Sequence, residues 1–322
     1  MADLDVNMIM RAYDQLCPMH LGDVPTPGIR LKIDRHSPLT LVFPDGVDVA
    51  EVSFNRYVGG YARGDESLVG MPAFILRGFR HRNFFVSRDS KLTKLSDLKG
   101  KRVGTNSWPD TGTMWARIAM VDAGVGVEDV QWVLGTLDPK NPSKPPSPND
   151  AQPPKGARFL TGSETLLDEL AAGRIDCVTT AKAPSEVFKK GGEIRRLVEN
   201  YPEVEADYHR RTGIYPGFHI VAARRSFAEK HPQAMRTIYE AMQKSWTIWE
   251  DKVKWFAEDS PWAMREMEHL CNEFAGDAAF GMSPANRKMV ETICREQHAQ
   301  GLVAKAAEPR RLFADFEAIV RV

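Results

Sequence analysis

LSDLKGKRVGT, residues 95–105, carries three structural signals in one short stretch. A short turn of helix stops at Gly100, because glycine alone takes the left-handed conformation beyond a helix end without strain. Arg102–Gly104 then begins a strand. About sixty residues later LLDELAAGRIDCVTT, residues 166–180, repeats the order. A helix over Glu164–Ala172 is closed by Gly173, and Ile175–Thr179 is a strand. Helix, glycine and strand in alternation predict an α/β protein with largely parallel sheets.

The same reading extends outward. Leu4, Val6, Met8 and Met10 alternate with other residues, which predicts a first strand. Arg11, Tyr13 and Asp14 fall at or just beyond its carboxyl end. Val47–Ala50 reads as a second strand, and Ser53 as the cap of a helix with Phe54, Tyr57, Val58 and Tyr61 on one face. Asn83–Val86 and His219–Ala223 are further strands. Thr111 or Thr113 opens a helix that turns Trp115, Ile118, Ala119 and Ala123 inward and ends at Gly124. A long helix follows Pro232, with Met235, Ile238, Tyr239, Met242, Trp246, Trp249, Val253 and Phe256 at three- and four-residue steps. A last helix runs from Ser283-Pro284 to Gly301. Residues 139–154 hold seven prolines. Neither helix nor central strand tolerates that density, so an exposed loop is expected, serving as an insertion or a homo-oligomer contact.

Composition narrows the functional classes. The 322 residues suffice for two domains. Lys plus Arg and Asp plus Glu number 43 each, so no broad basic footprint marks a nucleic-acid partner. The N-terminal segment lacks the apolar core of a secretory signal, and no apolar run matches a bilayer, so no membrane partner and a cytoplasmic location are expected. Cys17, Cys177, Cys271 and Cys294 form neither a CxxC pair nor a zinc spacing and read as free thiols. Phosphate loops, an HExxH helix and a GxSxG elbow are missing from the sequence.

Five further segments sharpen the picture. They are VDVAEVSFNRYV (47–58), MPAFILRGFRHRNFFVSR (71–88), TAKAPSEVF (180–188), YHRRTGIYPGFHIVAARR (208–225) and PANRKMVETICREQHAQGL (284–302). With the two helix–glycine–strand segments, the chain resembles the 4,5-dihydroxyphthalate decarboxylase family over nearly its whole length and in the same order. RTGIYP and FRHRNFFV are the specific stretches; LKGKRVGT is shared with many binding proteins. The resemblance implies a two-lobed periplasmic-binding-protein-like type II α/β fold with two interlobe crossings, placed at Asn83–Arg88 and His219–Arg224. Lobe 1 would hold residues 1–85 and 220–322, and lobe 2 residues 86–219 with the proline-rich loop 136–158. The implied activity is decarboxylation of a 4,5-dihydroxyphthalate to protocatechuate and carbon dioxide, without a cofactor. A non-catalytic binding protein for a small aromatic carboxylate is the alternative, and another lyase on the same fold, such as a dehydratase of chorismate-like acids, is a third.

That chemistry names candidates. The ring carbon losing its carboxylate needs a proton, the para phenol must push electrons, and the second carboxylate must be held. Arg77, Arg80 and Arg82 cluster around His81, among Phe79, Phe84 and Phe85. A guanidinium is the natural fork for a carboxylate, so Arg77 and Arg80 are candidate substrate ligands. His81 and His219 are candidate proton donors, either of which could instead be structural. Glu51 and Asp14 lie near strand ends, where ligands of open α/β sheets bind. Glu51 is a candidate acceptor of a phenolic proton and Asp14 a candidate substrate contact. Thr111 and Thr113, at a helix start, could hold an anion or simply cap, and Lys182 could add a positive charge. The remaining histidines, residues 20, 36, 209, 231, 269 and 298, form no ligand pair, so no metal site is expected.

Overall fold

The computed structural model describes residues 3–140, 151–256, 261–274 and 279–320. The central part of the proline-rich loop, residues 141–150, lies outside them. The chain begins β1 (Leu4–Ile9), α1 (Cys17–Leu21), β2 (Ile29–Asp34), β3 (Val49–Ser53), α2 (Phe54–Ala62), β4 (Leu68–Arg77) and β5 (Phe84–Ser87). It continues β6 (Arg102–Thr105), α3 (Thr111–Asp122), β7 (Gln131–Leu134), β8 (Arg158–Phe159), α4 (Leu166–Ala171), β9 (Cys177–Thr179), β10 (Ile194–Arg196) and α5 (Tyr201–Thr212). It closes with β11 (Gly217–Arg224), α6 (Arg225–Lys230), α7 (Pro232–Phe256), α8 (Ala263–Glu273), α9 (Pro284–Ala299) and α10 (Ala314–Val320).

Two compact units result. The first holds residues 1–77, 217–291 and 307–322; the second holds 78–216 and 292–306. The chain therefore leaves the first unit at Arg77–Gly78 and returns at Pro216–Gly217, so the second unit begins five residues before the first expected crossing and the first unit resumes two residues before the second. The reason is pairing. His219–Arg224 belongs to β11, which lies between β3 and β4 in one sheet and joins neither unit to the other. In addition, residues 292–306 group with the second unit.

The first unit is built on a five-stranded sheet of order β2-β1-β3-β11-β4. β1 is parallel to β2 and β3, whereas β11 runs antiparallel to β3 and β4, so the sheet is mixed rather than largely parallel. The alternation in β1 works as expected: Val6 and Met8 are buried and Asp5 and Asn7 exposed. On one side Val6, Met8, Met10 and Met71 pack with Met235, Ile238 and Met242 of α7. Elsewhere in the unit Phe54, Tyr57, Phe74 and Phe313 form an aromatic cluster, with Phe54 and Phe74 edge-to-face at 5.5 Å. Ser53 is the cap of α2 by position, yet its hydroxyl makes no capping bond.

The second unit has a six-stranded sheet of order β10-β5-β9-β6-β7-β8. Both faces are covered. Phe84, Val86, Val103, Trp132 and Cys177 face one apolar cluster, and Phe85, Val133 and Val178 face another with Leu166, Leu170 and Ile175. Such strands lose the polar alternation of a half-exposed sheet. The glycines of LKGKRVGT have separate causes. Gly100 adopts φ +76°, which L side chains resist. A Cβ on Gly104 would lie 2.8 Å from Leu166 Cδ2 and 2.9 Å from Ile175 Cδ1, so α4 packs directly on the strand backbone. Arg102 and Asp176 tie the two helix–glycine–strand segments together, with Nε and Nη2 donating to the carboxylate at 2.9 and 2.7 Å. Thr165 opens α4 with a reciprocal capping box to Asp168. No helix of the described residues is long and apolar enough to cross a membrane.

Candidate active site

In the first unit, Glu51 and His219 meet across neighbouring antiparallel strands. Glu51 stands opposite Val221 and His219 opposite Ser53, so the two side chains are diagonal neighbours on one sheet face. Glu51 is fully buried. Its Oε1 accepts the Tyr13 hydroxyl at 2.5 Å and contacts His219 Nδ1, and its Oε2 accepts the Arg11 amide at 3.0 Å. Burial alone would raise the Glu51 pKa. The hydrogen bonds from His219, Tyr13 and Arg11, with the attraction of the imidazole, outweigh it and hold the carboxyl below its ordinary range.

An ionised Glu51 can only accept, so the bond at Nδ1 places a proton on that nitrogen. Nε2 is then the ring nitrogen that does not face Glu51. Both Glu51 oxygens are thus engaged, Oε1 by Tyr13 and His219 and Oε2 by the Arg11 amide. The contact of Glu51 with His219 Nδ1 fixes the orientation of that ring. Tyr13 completes the group. It fell among the strand-end residues, but its role depends on a carboxylate 38 positions away in another strand. Asp14 is exposed and starts a single 3-10 turn, Asp14–Leu16. Arg77 is the half-buried last residue of β4, paired with Gly217.

The second unit holds Arg80, His81, Thr111, Thr113 and Lys182. Arg80 lies over the first turn of α3. A Cβ on Gly112 would come within 2.8 Å of Arg80 Nη2 and 2.9 Å of its Nε, so only glycine leaves room for the guanidinium. Burial lowers the Arg80 pKa to about 10, against the pull of Asp110. The start of α3 is capped by Asp110, whose carboxylate accepts the amides of Gly112 at 2.9 Å and Thr113 at 3.3 Å. Those two amides are thus occupied by the cap. The Thr113 hydroxyl is buried and lies 3.4 Å from that of Thr105, and Thr111 is buried as well. The capping residue was legible as an aspartate immediately before the helix.

His81 occupies an aromatic nest, 5.2 Å from the Tyr208 ring and 6.4 Å from Phe79 between centroids. Its Nδ1 is buried with no hydrogen-bond partner among the described residues. Burial lowers its pKa to about 4. A neutral imidazole held this way suits packing rather than proton delivery. Arg82 is engaged by Glu205, at 2.9 Å between Nη2 and Oε2. Lys182 is exposed, and its carbonyl accepts the Thr180 hydroxyl. Arg117 was not expected. It is fully buried, stacks on Trp108 at 3.9 Å and donates to Gln300 at 2.7 Å. Arg117 and Arg80 both feel the Asp110 carboxylate.

Among solved structures, the chain aligns with the periplasmic aliphatic sulphonate binding protein SsuA from Escherichia coli, at 12% identity and a TM-score of 0.52, covering 96% of this chain and 91% of that one. It also aligns with the desulfurization enzyme DSZB, at 15% identity and a TM-score of 0.54, covering 99% of both chains. The fold is therefore the two-lobed type II fold of periplasmic binding proteins, a class that includes a binding protein and an enzyme. Within that class, the chain is similar in sequence to a 4,5-dihydroxyphthalate decarboxylase of Comamonas testosteroni, 26% identical over 330 residues and 97% of each chain. A 4,5-dihydroxyphthalate decarboxylase of Pseudomonas putida is 25% identical over 218 residues, 65% of this chain and 83% of that one. No family model matches the chain. The resemblance seen in the quoted segments thus extends from end to end.

Proposed function

We propose that the protein is a carboxy-lyase that decarboxylates a 4,5-dihydroxyphthalate to protocatechuate and carbon dioxide without an organic cofactor. The observation that carries this reading is the similarity to a decarboxylase of that name over 97% of both chains. The His219–Glu51 pair supplies a chemically suitable proton carrier. His219 Nε2 delivers a proton to the ring carbon that bears the departing carboxylate. The carbon–carbon bond then breaks, carbon dioxide leaves, and the bonding electron pair returns to the ring and restores its aromaticity. The para phenol supports protonation by releasing electron density into the ring. Arg80 is the proposed carboxylate ligand, because a desolvated guanidinium binds an anionic fork strongly. Arg77, Asp14, Thr111, Thr113 and Lys182 remain weaker proposals for substrate contact. A cytoplasmic location and a homo-oligomeric state belong to the same proposal; four free cysteines are compatible with a reducing compartment.

Incubation of the pure protein with 4,5-dihydroxyphthalate tests the reading. Release of carbon dioxide with equimolar protocatechuate is expected. No turnover, with or without added divalent metal, refutes it. Tight binding with the ligand recovered unchanged would establish the binding-protein alternative, which the fold alone does not separate from an enzyme.

A further inference from the structure

We propose that Tyr13 is a positioning residue that sets the proton affinity of His219 through Glu51. The catalytic meaning of this role rests on the decarboxylase reading; its structural content does not. Glu51 Oε1 receives two donors, the Tyr13 hydroxyl at 2.5 Å and His219 Nδ1, while Tyr13 Oη lies 3.3 Å from Nδ1 itself. The three groups form a closed triangle in which two donors share one oxygen. A phenol that donates to a carboxylate draws off part of its negative charge, and the carboxylate then holds the neighbouring imidazolium proton less strongly.

The backbone keeps Tyr13 in place. Its amide donates to the Arg11 carbonyl at 3.0 Å, and its carbonyl accepts from Leu16 at 2.8 Å. Burial and the charge of Glu51 keep the phenol protonated, and therefore a donor, throughout the working pH range. Ionisable groups on the surrounding elements include Arg11 and Asp14 after β1, Cys17 and His20 on α1 and Arg77 at the end of β4. Arg11 reaches Glu51 through its amide, and its carbonyl lies 3.2 Å from His20 Nε2. Glu51 stands on β3 and His219 on β11. The Tyr13 side chain touches both members of the pair.

The test is a proton NMR titration of the full chain with isotopically labelled histidine, following His219 in the wild type, Tyr13→Phe, Glu51→Gln and a chain with 3-fluorotyrosine at position 13. In the wild type the neutral ring should be the Nδ1–H tautomer. Tyr13→Phe should raise the apparent pKa of His219 by about one unit, the usual scale for one hydrogen bond to a charged group. Fluorotyrosine, a stronger donor, should move it down, and Glu51→Gln should also lower it by removing the charge. With 4,5-dihydroxyphthalate, the kcat–pH profile of Tyr13→Phe should move with the NMR value while KM stays within about twofold. A folded Tyr13→Phe chain whose His219 titrates as in the wild type, or lower, overturns the proposal. Should Tyr13→Phe fail to fold, the sign of the fluorotyrosine shift decides. A wild type that turns over no substrate refutes the decarboxylase reading alone, since the titration still measures Tyr13.

Discussion

Replacing His81 with phenylalanine should flatten part of the acid limb of the protein's stability curve. His81 is 4% exposed, enclosed by Phe79 and Tyr208 rings, and has an Nδ1 with no partner among the described residues. Burial lowers its pKa from 6.5 to about 4; the charge of Asp122 opposes the shift and those of Arg211 and Arg82 add to it. The unfolded chain therefore binds the proton first. Above pH 6.5 the group contributes nothing to pH dependence. Between pH 6.5 and 4 stability falls as the pH falls, at up to about 1.4 kcal/mol per pH unit, and the loss totals about 3 kcal/mol. Below pH 4 both states carry the proton and the loss stops growing. Phenylalanine keeps a ring in the nest and removes the titration. Urea unfolding at several pH values between 7.5 and 4 measures the effect. Carboxylates titrate in both chains and cancel in the difference, so the gap between wild type and variant should change by about 3 kcal/mol in favour of the variant. Parallel curves would refute the reasoning and return His81 to candidacy as a proton donor near neutral pH.

Gly112→Ala sets alanine's helix preference of up to about 1 kcal/mol against a crowded cap, since its Cβ would lie 2.9 Å from Asp110 Oδ2, so the melting temperature should stay within a few degrees of the wild type. Its Cβ would displace the Arg80 guanidinium, which now lies 2.8 Å from that position, and phthalate affinity measured by calorimetry should fall about tenfold or more. Arg80→Ala should weaken phthalate binding further, by roughly tenfold to a hundredfold, with the fold retained by circular dichroism. Glu51 is held below its ordinary pKa, so its ionised form stabilises the fold above the unfolded value and that support is lost as the pH falls toward the folded value; Glu51→Gln should remove this part of the acid dependence in urea titrations. Thr165→Ala breaks the capping box of α4 and should cost about 1 kcal/mol in thermal or urea unfolding.

Local chemistry alone made much of this protein readable. Gly100, Gly124 and Gly173 end helical segments because the left-handed conformation belongs to glycine, and the alternation of β1 and the spacing of α7 follow from strand and helix periods. Other elements escaped that reading. β4 contains Pro72, which argues against a strand until the sheet order shows β4 at an edge, where a missing amide proton is tolerated. β2 and α10 find their pairing and packing partners in other parts of the first unit. The individual candidates Glu51, His219 and Arg80 were visible as residue types near element ends. Their contacts were not. Glu51 and His219, 168 positions apart, meet only because β3 and β11 pair in one antiparallel register. Asp110 was overlooked beside two threonines, although its carboxylate takes the α3 amides. Sequence periodicity records which face of an element is apolar. Which polar groups share a buried spot is set by long-range register and by desolvation, and both exist only once the chain has folded.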